Sequence, residues 1–198
     1  MDSRYGFLAL PAVWVCFGFF FLYAGALSIV QTFAVPAAAQ LHAVPTHWAA
    51  LCLSIYMVCA AAGMLAGGFL VQDAARCETI IAAALALAAA VALTLGLAPL
   101  PALAVPLLFG LLGLATGVSG PSRDLLVKRA TPAQASGRVY GVVYGGLDIG
   151  QALVPVGVGL LMDGGHWQAV WLALAGLQGL LILSAFQVRR MQGPAPAP

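Results

Sequence analysis

Asp148 stands in an apolar run, Tyr140-Gly-Val-Val-Tyr-Gly-Gly-Leu-Asp-Ile-Gly-Gln-Ala-Leu, with Gln151 three residues on. Where such a run crosses lipid, a carboxylate costs about 2.5 to 3.5 kcal/mol at mid-depth, so it serves a solute pathway, a proton relay or an ion pair. Three roles are open to Asp148. It lines a central cavity and takes up a proton or meets a cationic substrate; it is a protonated acid bonded to a neighbouring helix; or it pairs with a base on a partner. No Lys or Arg is expected at comparable depth elsewhere. Gln151 falls on the same helical face. Tyr23, Ser28, Gln31 and Thr32 form a second polar set and are candidate substrate contacts, the plain alternative being hydroxyls and amides satisfied by helix neighbours. Asp73, Arg76, Arg123 and Asp124 cluster where apolar runs end, and read either as an ion-paired gate at a membrane surface or as solvated loop charges.

Other reactive residues carry less. Gly117-Val118-Ser119-Gly120 with His166 is similar to the serine and histidine of rhomboid proteases, but proton exchange needs the two within about 3 Å. The helix order below sets them at opposite faces, about 30 Å of hydrocarbon apart, so no enzyme activity is expected and Ser119 is a packing residue. His42 and His47 have no acid or cysteine beside them and read as solvated loop histidines. The four cysteines show neither CxxC nor zinc spacing. No metal and no cofactor is expected.

The elements that position these groups follow from composition. The chain is 63% hydrophobic and 7% charged, against about 25% charged in soluble domains. Sixty-eight uncharged residues separate Arg4 from Asp73, and a second uncharged run spans Thr79 to Ser122. In lipid each backbone group must be bonded within its own helix or a closed barrel, and strand alternation is missing here. The prediction is an all-α polytopic membrane protein with six transmembrane helices at about 8–34, 48–71, 79–98, 101–120, 139–162 and 167–187. The bundle covers 1–190, with a disordered tail at 191–198.

Orientation follows from the charges. All eight Lys and Arg residues fall at the N-terminus (Arg4), in the second and fourth connections (Arg76; Arg123, Lys128, Arg129, Arg138) or in the tail (Arg189, Arg190). Such one-sided placement predicts both termini on the cytoplasmic side, with Trp48 and Trp167 in the opposite aromatic belt. Apolar helices gain nothing by leaving lipid for each other, so association must rest on small residues. Gly110, Gly113, Gly117 and Gly120 share one face of the fourth helix, and Gly141/Gly145 and Gly146/Gly150 repeat the device in the fifth. Helices four and five are therefore expected to sit against each other.

Two segments carry a family resemblance. Gly67-Gly68-Phe69-Leu70-Val71-Gln72-Asp73-Ala74-Ala75-Arg76 resembles the loop G-G-x-L-a-D-R-x-x-R of major facilitator transporters, with Gln72 in place of the acid and Asp73 in place of a base. The stretch from Gly120-Pro121-Ser122-Arg123-Asp124 to Gly137-Arg138-Val139-Tyr140-Gly141 is similar to the connection between the family's tenth and eleventh helices. Gly141, Gly150, Pro155 and Gly159 fall on its antiporter pattern G-x8-G-x3-G-P-x2-G-G, with Val154 and Val158 replacing two glycines. Phe109, four residues before Gly113, stands where the first half would place arginine.

The resemblance thus implies the C-terminal six-helix half of a major-facilitator-type bundle, a secondary transporter with alternating access. It implies a small-molecule solute moved by proton-coupled exchange or efflux through the inner membrane. It also implies a second six-helix half as partner, either a homodimer mate or a separate chain, beside the lipid bilayer itself; no nucleic acid is expected. The other class of function is a truncated, non-transporting membrane interaction protein.

Overall fold

A computed structural model describes residues 11–71, 77–130 and 136–191. Seven α-helical segments make up six spans: α1 (Pro11–Ile29) and α2 (Val35–His42), joined by a π-turn at Val30–Ala34, then α3 (Thr46–Leu70), α4 (Cys77–Leu97), α5 (Ala104–Ala130), α6 (Ser136–Asp163) and α7 (Trp167–Met191). Six stretches are long and apolar enough to cross a membrane, and no strand occurs among the described residues. Side-chain hydroxyls inside the spans bond back to their own helix, Thr94 Oγ1 to the Ala90 carbonyl at 2.8 Å and Ser119 Oγ to that of Thr116 at 2.7 Å. These bonds leave no hydroxyl of that pair unsatisfied in lipid.

Two helices run past their expected ends, each through a proline. The first helix does not stop at 34: the backbone passes through the π-turn and runs on to His42. Pro36 sits at the start of α2, where a missing N–H is least costly, and the wider turn just before it gives its ring room. The fourth helix does not stop at 120 either. Pro121 is interior to α5, which continues to Ala130, as membrane helices tolerate when neighbouring elements compensate the broken bond. The α6–α7 turn follows the glycine rule: Gly165 takes φ 75°, and bonds from Gly165 N–H to the Met162 carbonyl and from His166 N–H to that of Leu161 close the helix end.

Glycine decides which helices touch. A side chain at Gly113 or Gly117 of α5 would strike the carbonyls of Tyr56 or Ala60 in α3, and one at Gly63 or Gly67 of α3 would strike those of Leu114 or Val118. The two backbones therefore cross at a distance only glycine allows. Gly110 meets Ile55 and Cys59 of the same helix α3, and Gly146 and Gly150 of α6 press on the Phe17 and Phe21 carbonyls of α1. Helix four thus packs on helix two and helix five on helix one, which corrects the expectation that four and five pair with each other. Gly141 and Gly145 have nothing within 4 Å of a would-be side chain, so they are not packing residues within this bundle.

The major contacts are α3 with α5, α1 with α6, α4 with α7, α4 with α5, and α1 with α7. Exchanging the first three spans for the last three maps the first pair onto the second, the fourth onto the fifth, and the third onto itself. The core lies between α1, α4, α5 and α7, with Phe109 edge-on to Trp171 at 5.8 Å. In this ring α3 and α6 are the end members, and 17% of the residues in an apolar 18-residue stretch of each are buried, against 39 to 56% in the corresponding stretches of the others. Helices α1 and α5 thus present a face to the gap between α3 and α6.

Candidate functional site

Arg123 belongs to this face and not to a loop. Because α5 continues past Pro121, Arg123 is a helical residue, and helical side chains lean back toward the N-terminus of their helix. Its guanidinium is drawn into the bundle, 9% exposed, 4.0 Å from the centre of the Tyr23 ring and 5.8 Å from that of Phe20 on α1. Nε and Nη2 both lie 2.8 Å from Oδ1 of Asp124, whose carboxylate is itself largely exposed. Two compensations hold the charge there. A desolvated cation over an aromatic ring gains about 2 kcal/mol, and the neighbouring carboxylate neutralises the pair. The Nη1 atom is buried with no hydrogen-bond partner.

Beside this cluster lies a small cavity lined by Tyr23, Leu27, Tyr56, Thr116, Leu174 and Gln178, with about 20 Å³ open to the centre of a water molecule; one water needs roughly that much. Tyr56 and Thr116 hydroxyls are 3.3 Å apart, and Thr116 Oγ1 also donates to the Leu112 carbonyl at 2.9 Å. Gln178, on α7, is 1% exposed, and its Oε1 accepts no bond. None of Tyr56, Thr116 and Gln178 was singled out in the sequence. An amide at the middle of the sixth apolar span was the available signal for Gln178, and seven-residue spacing from Arg123 was that for Thr116.

Asp148 is exposed on α6, between three and four residues from the middle of the span Tyr140–Asp163, about 5 Å. Gly146 and Gly150 press on α1, and two residues of helix turn Asp148 by about 200° from each. Its face is also not that of the exposed Ile149, Leu153, Val156 and Leu160. Tyr144 stands one turn before Asp148 and stacks on Phe20 at 5.2 Å, so the strip Tyr144, Asp148 and Gln151 is continuous with the aromatic bed under Arg123. Gln151 is likewise exposed.

The other predicted residues are dispersed. Tyr23 joins the Arg123 cluster, whereas Ser28 is buried and donates to the Gly25 carbonyl at 2.9 Å, so its hydroxyl is already used. Gln31 and Thr32 are exposed on the π-turn, a distortion that frequently marks functional positions. Pro155 is partly exposed inside α6. Asp73 and Arg76 lie outside the described residues. His42 is not a solvated loop residue: its Nε2 is 2.7 Å from the Leu95 carbonyl at the end of α4, one of the orphan acceptors of a helix C-terminus.

The chain thus has six spans, helix pairs that repeat after three, and a polar face left open on one side. The model of the Major Facilitator Superfamily matches residues 11–198. The chain belongs to this superfamily. No curated protein matches it. A three-plus-three inverted repeat is how each six-helix half of a major facilitator transporter is built, and the symmetry of the helix pairs above is the trace of it. The chain is accordingly a multi-pass membrane protein and a membrane transporter of the major facilitator type.

Proposed function

We propose that this bundle forms one wall of a solute passage in a proton-coupled secondary carrier, with Asp148 as the group that takes up and releases the proton. The observation that carries the reading is the continuity of the exposed strip Tyr144, Asp148 and Gln151 with Phe20. A carboxylate at this depth needs hydration or a partner, and on that strip it obtains both from a water-filled gap between two halves. Gln31 and Thr32, exposed on the π-turn after α1, are the further solute contacts of this reading.

The second six-helix half, from a second copy or another chain, supplies the opposite wall, since substrates of this architecture bind at the repeat interface near the midplane. The one-sided distribution of basic residues supports both termini in the cytoplasm, with the inner membrane as the membrane of residence in this reading. Proton uptake on one side coupled to solute movement on the other makes the cycle an efflux or exchange cycle.

The test is a proton-flux assay on the full chain in vesicles loaded with a pH dye, challenged with a panel of organic anions and cations. The unaltered chain gives flux with at least one solute, and Asp148→Asn gives none. Equal flux in both chains removes Asp148 from the mechanism, and no flux with any solute favours a membrane interaction protein.

A further inference from the structure

Among the described residues, one end of the Arg123 guanidinium meets no acceptor. Its guanidinium presents five N–H groups in a fixed plane, of which Nε and Nη2 are turned to Asp124. The Nη1 end is buried and unbonded, and the guanidinium lies over Tyr23, which also lines the cavity between α1, α3, α4, α5 and α7. Leaving a charged donor unmatched in a low-dielectric interior is costly, and among the described residues no acceptor lies within hydrogen-bond distance of Nη1. The carboxylate of Asp124 is 57% exposed, so it neutralises the cation from the solvent side and leaves the inner edge electropositive.

We propose that Arg123 is an anion subsite: its Nη1 edge receives a carboxylate or phosphate group of the transported solute, with Phe20 and Tyr23 as the apolar bed beneath it. The inference rests on the passage reading above and adds the chemical class of the solute. Arginine suits the task because its planar fork matches both oxyanions and stacks on aromatic faces. Asp124 is the competitor that holds the other two nitrogens until an anion arrives. An aromatic or otherwise apolar acid fits best, since the floor of the subsite offers rings and no second cation among the described residues.

The experiment measures thermal stability and affinity of the full chain in phosphatidylcholine nanodiscs, with benzoate, inorganic phosphate and the neutral benzamide as probes. Benzoate or phosphate should give a saturable upward shift in Tm that benzamide does not. Arg123→Gln should abolish the shift and Arg123→Lys should weaken it about tenfold, the loss of one charge-assisted bond. Should Arg123→Gln fail to fold, Asp124→Asn decides, because freeing Nε and Nη2 should tighten benzoate binding by about the same factor. A purely structural ion pair would instead lose stability in Asp124→Asn with no gain in affinity.

Asp148→Asn should bind benzoate as the unaltered chain does while losing proton flux, so failure of the subsite and failure of the proton-coupling role are separable. A shift produced only when phosphatidylglycerol replaces phosphatidylcholine assigns the anion to a lipid headgroup and overturns the solute assignment. So does an equal response to benzoate and benzamide.

Discussion

The guanidinium of Arg123, on the fourth span, lies over the ring of Tyr23, on the first, at 4.0 Å. These two helices share few other contacts, so the cation and the ring form the principal polar link across the face that α1 and α5 present to the gap. Tyr23→Phe keeps the ring and should leave stability within about 0.5 kcal/mol, whereas Tyr23→Leu should cost about 2 kcal/mol through loss of the cation–π contact. Reversible unfolding in mixed micelles measures both, and equal losses would show that the ring face does not matter.

The crossing of α3 and α5 should be intolerant of a single methyl group. Gly113→Ala or Gly117→Ala pushes Cβ into a backbone carbonyl of α3, and overpacking of this kind costs about 1 to 3 kcal/mol. Gly145→Ala meets open space and should be neutral or stabilising by up to about 1 kcal/mol, the helix propensity gained. The same unfolding assay separates the two glycine classes, which sequence alone had merged.

Accessibility should follow the faces of α6. With the native cysteines replaced, a cysteine at Asp148 or Gln151 should react with a membrane-impermeant thiol reagent supplied on both sides of the membrane. A cysteine at Leu153 or Leu160, both exposed and on the opposite face, should stay unreactive in lipid. Equal reactivity at all four positions would place Asp148 on no particular pathway.

At the far end of α4, His42→Ala should destabilise the bundle by about 1 kcal/mol, the worth of one buried hydrogen bond, because the Leu95 carbonyl loses its partner. Glutamine at position 42 retains an N–H donor and should recover part of the loss. Identical stability of the alanine and glutamine variants would reduce His42 to a spacer.

Several features were legible along the chain because each depends on local composition. Lipid forces an apolar segment to satisfy its own backbone, so six apolar stretches meant six helices, and the loop and helix patterns around Gly67 and Gly141 were enough to suggest the family. Asp148 stood out because a charge among twenty apolar neighbours has no cheap local explanation. Breakers misled for the converse reason. Pro36 and Pro121 stand just past the expected ends at 34 and 120, yet a π-turn in one case and continuing helix in the other carry the chain onward, and what decides between an end and a kink is the packing around the proline.

What the sequence by itself determined is the set of spans, since each hydrophobic segment meets its solvent alone and needs no knowledge of its neighbours. Only the tertiary structure decided which glycines touch backbone, which helix each span chooses, and that Arg123 turns inward over Tyr23 while Ser28 spends its hydroxyl on its own helix. The physical reason is that lipid does not favour one apolar face over another. Partner choice then rests on close steric fit and on a few polar bonds between residues far apart in the chain, and neither is written in the composition of any single helix.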